Sequence, residues 1–274
     1  MGLMLHCGAS EVKESDLGSI PVTDRHHTWV GKSGKKHELV RSDRWAGIQH
    51  KDFVDAVFMG CNKLGMPVDK ERTTWGVSEC GSELFGYVRF HQNVDGKPTS
   101  VARYFSNTLE PTIGLRHSNR GRFSAQGTIG GSVFVCDNLA ITGTVVFRQK
   151  HTTHNVANLV DTVRMGLVDY ILGLPTLSQM VSNLQQSRLE DKHVSNLYLE
   201  AGRTKLLPWS HIGLVDQVWQ NPTHNEFREG GYTGWRMYNA INTVAKKYNP
   251  NRQMDIVKQA EAIINNHSWQ PIEV

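Results

Sequence analysis

The run from Leu115 to Thr144, LRHSNRGRFSAQGTIGGSVFVCDNLAITGT, alternates short β-type segments with glycine turns. Thr112–His117 and Arg122–Thr128 read as strands on either side of a turn at Ser118–Gly121. Ser132–Cys136 and Gly143–Gln149 read as two further strands. Upstream, Leu84–His91 and Ser100–Asn107 are β-like and are joined by NVDGK. Its Asp95-Gly96 pair is a hairpin signal, because a tight two-residue turn needs residues that tolerate positive φ. Short strands joined by such turns predict a mainly antiparallel sheet.

Outward from this core the periodicity changes. Phe53, Val54, Val57, Phe58, Cys61 and Leu64 recur at helical spacing, which predicts a helix over His50–Leu64 ended by Gly65 and Pro67. Beyond Lys150 the chain becomes helical. Asn155 is an N-cap for Val156–Leu172, and Gly173 with Pro175 is expected to close that helix. A second helix opens at Thr176 or Ser178 and runs to about Leu189. Others fit Ser210–Trp219, Gly234–Tyr248 and Arg252–Asn266. Strands first and helices after define an α+β class: a mainly antiparallel sheet in the N-terminal and central half, with a helical C-terminal half packed on one face. The other face would then be open to a ligand. Residues 1–48 read as an irregular basic arm, 49–150 as helix plus sheet, and 151–274 as a helical half continuous with 49–150 in one globular domain.

A chain of 274 residues with 39% hydrophobic and 20% charged content is too apolar to be disordered and long enough for a substantial core. Its net charge of +4 is compatible with a polyanionic partner and equally with an ordinary enzyme. Cys7, Cys61, Cys80 and Cys136 are scattered without a C-x-x-C pair, which argues against a structural zinc and against a disulfide framework. The N-terminus lacks the pattern of a signal peptide, and no apolar run approaches the ~20 residues of a membrane span. A soluble, cytoplasmic protein without membrane contact is expected.

The chemistry concentrates in the central hairpin. Arg116, Arg120 and Arg122 stand with His117, Ser118 and Asn119, and guanidiniums, hydroxyls and turn amides together are suited to gripping phosphate. Solvated arginines on a hairpin tip are the plainer reading. Arg148, Lys150 and His151 extend the basic character, and GKSGKKHELVR (31–41) adds Lys32, Lys35 and Lys36. That segment lacks the spacing of a phosphate loop. Arg41, Arg44 and Trp45, and likewise Trp235 and Arg236, pair cations with aromatics in a way that suits stacking on unpaired bases. Trp235 is equally placed to pack with Tyr238 and Ile241, whereas Trp29 and Trp45 are the aromatics expected to be exposed. Cys136 could act as a nucleophile with His117 or His151 as base, although a buried role is commoner. His151-x-x-His154, with His26-His27, has metal-ligand spacing but no intervening Glu. No metal and no cofactor are expected.

The central run RHSNRGRFSAQGTIGGSVFVCDNLAITG, the following FRQKHTTHN and the closing GWRMYNAINTVAKKY resemble the phage- and plasmid-borne domain-of-unknown-function 932 family over roughly residues 80–250. The positions that carry the resemblance are Ser118, Asn119, Gly121, Ser124, Val135, Cys136, Asn138, His151, Trp235, Asn239 and Ala240. Arg120 stands where that family carries an acidic residue. The resemblance implies a mobile-element origin, a place in the host cytoplasm if phage-encoded, and a role in nucleic-acid metabolism or counter-defence.

The leading expectation is therefore a non-catalytic nucleic-acid-binding protein, single strands favoured, in replication, recombination or annealing. Its contacts are expected from the hairpin arginines and the arm lysines. Two alternatives stay open. One is a counter-defence protein that binds a host protein or sequesters a nucleotide. The other is a hydrolase or nuclease using His117, His151, His154 and Asp137. Self-association into a homo-oligomer is compatible with each.

Overall fold

The computed structural model describes residues 5–8, 26–30, 34–40, 45–78, 81–106, 109–121, 124–133, 139–152, 158–222, 224–248 and 250–266. The fold is α+β, an antiparallel sheet followed by a helical C-terminal half. The chain divides into two compact units. The first comprises Met1–Ser106, Glu110–Ile129 and Thr144–Leu174, and the second Asn107–Leu109, Gly130–Gly143 and Pro175–Val274.

Short strands lie within the stretch expected to be irregular. These are β1 (Leu5–Gly8), β2 (His26–Val30) and β3 (Lys36–Val40). The last two form their own hairpin, with Val30 opposite Lys36. Helix α1 (His50–Lys63) follows as read from its periodicity. Gly65, at φ +67°, ends it, and the Met66 amide donates to the Cys61 carbonyl. Strands β4 (Thr74–Val77) and β5 (Glu83–Arg89) come next, then the two-residue strands β6 (Asn93–Val94) and β7 (Lys97–Pro98). Between β6 and β7, Asp95 and Gly96 have φ +49° and +74°, the geometry their sequence demands.

Ser100–Asn107 is expected as a strand, but its described part, 100–106, forms none. Its Ser100 hydroxyl donates to the Leu64 and Gly65 carbonyls at the end of α1, and Ala102–Tyr104 coil into a 3-10 turn. Capping that helix end outweighs β propensity here. Strands β8 (Leu109–Ser118), β9 (Ala125–Val133) and β10 (Leu139–Gln149) complete the six-stranded order β1-β4-β5-β8-β9-β10. Of the expected strand Ser132–Cys136, Ser132 and Val133 are the end of β9, and the rest lies outside the described residues.

Helix α2 (Leu159–Gln186) is continuous, with Pro175 inside it rather than at a break. The buried series Leu167, Tyr170, Leu174, Leu177, Val181 and Leu184 keeps helical spacing across the proline, so packing offsets the lost hydrogen bond. Helix α3 (Asp191–Arg203) had no counterpart in the sequence reading. Helices α4 (Trp209–Gln220), α5 (Asn225–Glu229), α6 (Gly234–Ala245) and α7 (Pro250–Asn266) fill the second unit, where α6 packs on both α4 and α7. Among the described residues no helix is long and apolar enough to cross a membrane.

In the first unit one face of the sheet is covered by helix. The register sets Trp75 against Gly86, Gly86 against Leu115, and Leu84 against His117, so these side chains share a face. Helix α1 lies on it, with Phe58 against Trp75 and Phe53 against both His117 and Phe147. Glycines permit this closeness. A Cβ on Gly86 would fall 2.1 Å from the Trp75 ring, and one on Gly166 of α2 would fall 2.5 Å from Phe147.

Candidate nucleic-acid interface

Strand alternation sorts the basic residues. Phe147 points to α1, so Arg148 points to the opposite face, and Lys150 continues the same alternation just past the strand. Arg116 lies between Leu115 and His117, both on the helix-covered face, and therefore also points away from it. Its Nε donates to Gln126 Oε1 at 2.7 Å, and Gln126 Nε2 donates to Ser124 Oγ at 2.8 Å. Arg116, Gln126, Arg148 and Lys150 thus come from β8, β9 and β10 onto one face. Arg148 and Lys150 are exposed and Arg116 is half-buried. The same face carries Phe85 and Tyr87, which are largely covered, and burial pushes the Tyr87 hydroxyl up.

The rest of the hairpin behaves differently. His117, Ser118 and Asn119 are buried, at 0%, 0% and 2% exposure, and so offer no donors to a nucleic-acid backbone in this conformation. Their roles here are internal. The Asn119 amide donates to Ser82 O at 2.8 Å, and Ser118 Oγ accepts from the Arg120 amide at 3.2 Å. Arg120 is half-buried beside Gly121, whose φ of +72° makes the turn. Lys35 and Lys36 are exposed next to Gly34, at φ +80°, where β3 begins. Lys32, Arg41, Arg44, Arg122, Cys136, Asp137, Asn138 and His154 lie outside the described residues.

His151 is buried as well, and it belongs to a cluster that the sequence reading did not assemble. Its ring stacks on His117, with centroids 4.9 Å apart, and on Trp45 at 5.9 Å. Trp45, expected to be exposed, is only partly so, because the Ala46 amide bonds the His151 carbonyl and Trp45 bridges to Thr152. His117 also meets His50 of α1, Nδ1 to Nδ1 at 2.6 Å, while His50 Nε2 lies 2.9 Å from the Gly81 carbonyl. Burial is the main cause that holds His50 down at about 4 and His117 well below the usual imidazole range. Both are neutral at pH 7. Two signals mark this cluster in the sequence. His50 sits three residues before Phe53 on the apolar face of α1, and His117 alternates with Leu115 and Ile113.

In the second unit Trp235 packs on Tyr238, 5.7 Å between nearly parallel rings, as its spacing indicates. Arg236 is not a base-stacking cation. It is buried, its Nε donates to the Trp219 carbonyl at 2.8 Å, and Nη2 reaches Trp219 O and Gln220 O. It lies over the Trp219 and Tyr232 rings. The guanidinium therefore caps the C-terminus of α4, where the carbonyls are otherwise unpaired. Cys61 is buried and its thiol is pushed up to about 12, which makes it a packing residue rather than a nucleophile. Among the described residues no three His, Cys, Asp or Glu side chains gather as metal ligands.

Compared with known proteins, the chain matches no family model, no curated protein and no solved structure.

Proposed function

We propose that this chain is a nucleic-acid-binding protein of the phage or plasmid type whose contacts to the phosphate backbone come from the sheet face opposite α1. The observation that carries this reading is the convergence of Arg116, Arg148 and Lys150 on that face, with Gln126 between them. Neighbouring strands lie about 4.8 Å apart, so cations on β8 and β10 stand roughly one and a half nucleotide steps from each other across the sheet. A strand backbone laid over such a face meets successive positive charges, and a flexible single strand follows it more closely than a rigid duplex. Lys35 and Lys36 supply a second exposed basic point on the β2–β3 hairpin. Replication, recombination or annealing are the processes such binding would serve, within a host cytoplasm.

The direct test is the double variant Arg148→Ala/Lys150→Ala, measured by fluorescence anisotropy on labelled single- and double-stranded oligonucleotides. Affinity is expected to fall at least tenfold for every sequence alike, since phosphate contacts position without specifying. The slope of log K against log salt should become shallower by about 1.4, the share of two phosphate contacts on a single strand. Wild-type affinity in the folded variant would remove this face from the account. Saturable binding of a free nucleotide that an oligonucleotide does not displace would favour nucleotide sequestration instead.

A further inference from the structure

We propose that His50, His117 and His151 form an acid-sensitive latch that fastens the chain entering α1 to the sheet at neutral pH and releases it when protons enter. Four segments meet at this cluster. His50 comes from the first turn of α1, His117 from the end of β8, His151 from just beyond β10, and Gly81 from the turn before β5.

The hydrogen-bond chain has a defined direction. A carbonyl only accepts, so His50 Nε2 must carry its hydrogen toward Gly81. The Nδ1 of neutral His50 is then a lone pair, and the hydrogen in the 2.6 Å contact belongs to His117 Nδ1. That leaves a lone pair on His117 Nε2, which is buried and finds no hydrogen-bond partner among the described residues. The arrangement is built for two neutral rings: a first proton keeps one hydrogen in the 2.6 Å contact but buries a cation. With both rings protonated, two N–H groups would face each other across that contact. A proton on His117 Nε2 would place a cation in a site that includes the Phe53 ring.

Among the described residues no opposite charge acts on either ring. The described charged groups that act on them are imidazoles of the cluster: His151 opposes a proton on His50, and His50 and His151 oppose one on His117. The Gly81 carbonyl favours a proton on His50, but less than burial opposes it. Outside the cluster, Trp45 from the preceding segment and Phe53 from α1 contribute aromatic faces without charge. The contacts the latch secures are the Ala46 amide to His151 O at 3.1 Å, the Trp45–Thr152 bridge, and the Asn119 amide to Ser82 O.

Opening returns His50 and His117 to ordinary basicity, so these two rings take up protons below about pH 6.5. Hydrogen exchange of the full-length chain, corrected for intrinsic rates, reads this directly at residues 45–53 and 115–119. The opening constant is expected to rise about 100-fold per pH unit from pH 6.5 towards pH 5. In His50→Gln/His117→Phe the dependence at those residues should vanish. His117→Phe alone should retain about a tenfold rise per unit. Should the variants fail to fold, imidazole nitrogen NMR of the wild type decides. Neutral His50 as the Nε2–H tautomer and neutral His117 at pH 5.5 support the latch. Either ring protonated at pH 6 in the closed state, or exchange at those residues indifferent to pH, overturns it.

Discussion

The residues with the most to say are those whose side chains are polar and whose environment is not. Arg236 is one. Its guanidinium satisfies carbonyls at the end of α4 and sits over two aromatic rings, so Arg236→Met should destabilise the protein by about 1–3 kcal/mol. Arg236→Lys should recover little, because an ammonium cannot bond two neighbouring carbonyls in the plane of a fork. Urea denaturation measures both. The histidine cluster sets the sign of the acid response. A folded-state pKa of about 4 for His50, against 6.5 in the unfolded chain, means the unfolded state binds more protons between those values. The contribution of these histidines should be flat above pH 7 and fall as pH drops from 6.5 towards 4, to which His50 alone contributes about 1.4 kcal/mol per unit. Substituting His50 with Gln should flatten that part of the profile. His117 shows why part of the site was hard to read. Residue type placed it with the hairpin arginines, whereas its parity with Ile113 and Leu115 placed it in the core. Parity decided. The contact between His50 and His117 spans 67 residues, and no local pattern announces it.

At the level of elements, close approach rests on missing side chains. Gly86 lies under the Trp75 ring and Gly127 under the Phe147 ring, with notional Cβ distances of 2.1 and 2.3 Å. Alanine at either position forces a packed aromatic to move, and each variant should lose about 1–3 kcal/mol in chemical denaturation. Gly213 has nothing within 4 Å of its notional Cβ and lies within α4, so Gly213→Ala should be neutral or stabilising by up to about 1 kcal/mol. Helix α1 and the strands β5, β8 and β10 were legible because alternation and helical spacing are local. The Asp95-Gly96 turn was legible because its dihedrals require those residues. Ser100–Asn107 misled because its neighbour in space, the end of α1, lies about 35 residues back. Pro175 misled because the rule that proline ends a helix gives way where apolar residues continue on the same stripe.

For the whole molecule, an α+β class followed from the order of strand and helix patterns, and the structure has that class. A net charge of +4 was a weaker guide, because it does not say where the cations stand. The fold divides them. Arg236 caps a helix, while Arg148 and Lys150 are presented to solvent on the face that Arg116 shares. The central claim is that this face holds a nucleic-acid backbone. Its most direct test is the salt dependence of oligonucleotide binding by the wild-type chain, followed by fluorescence anisotropy between about 50 and 200 mM salt. Binding that weakens at least tenfold across that range, with single strands held more tightly than duplex, is the expected result. Absence of binding at the lowest salt, or binding indifferent to salt, would contradict it.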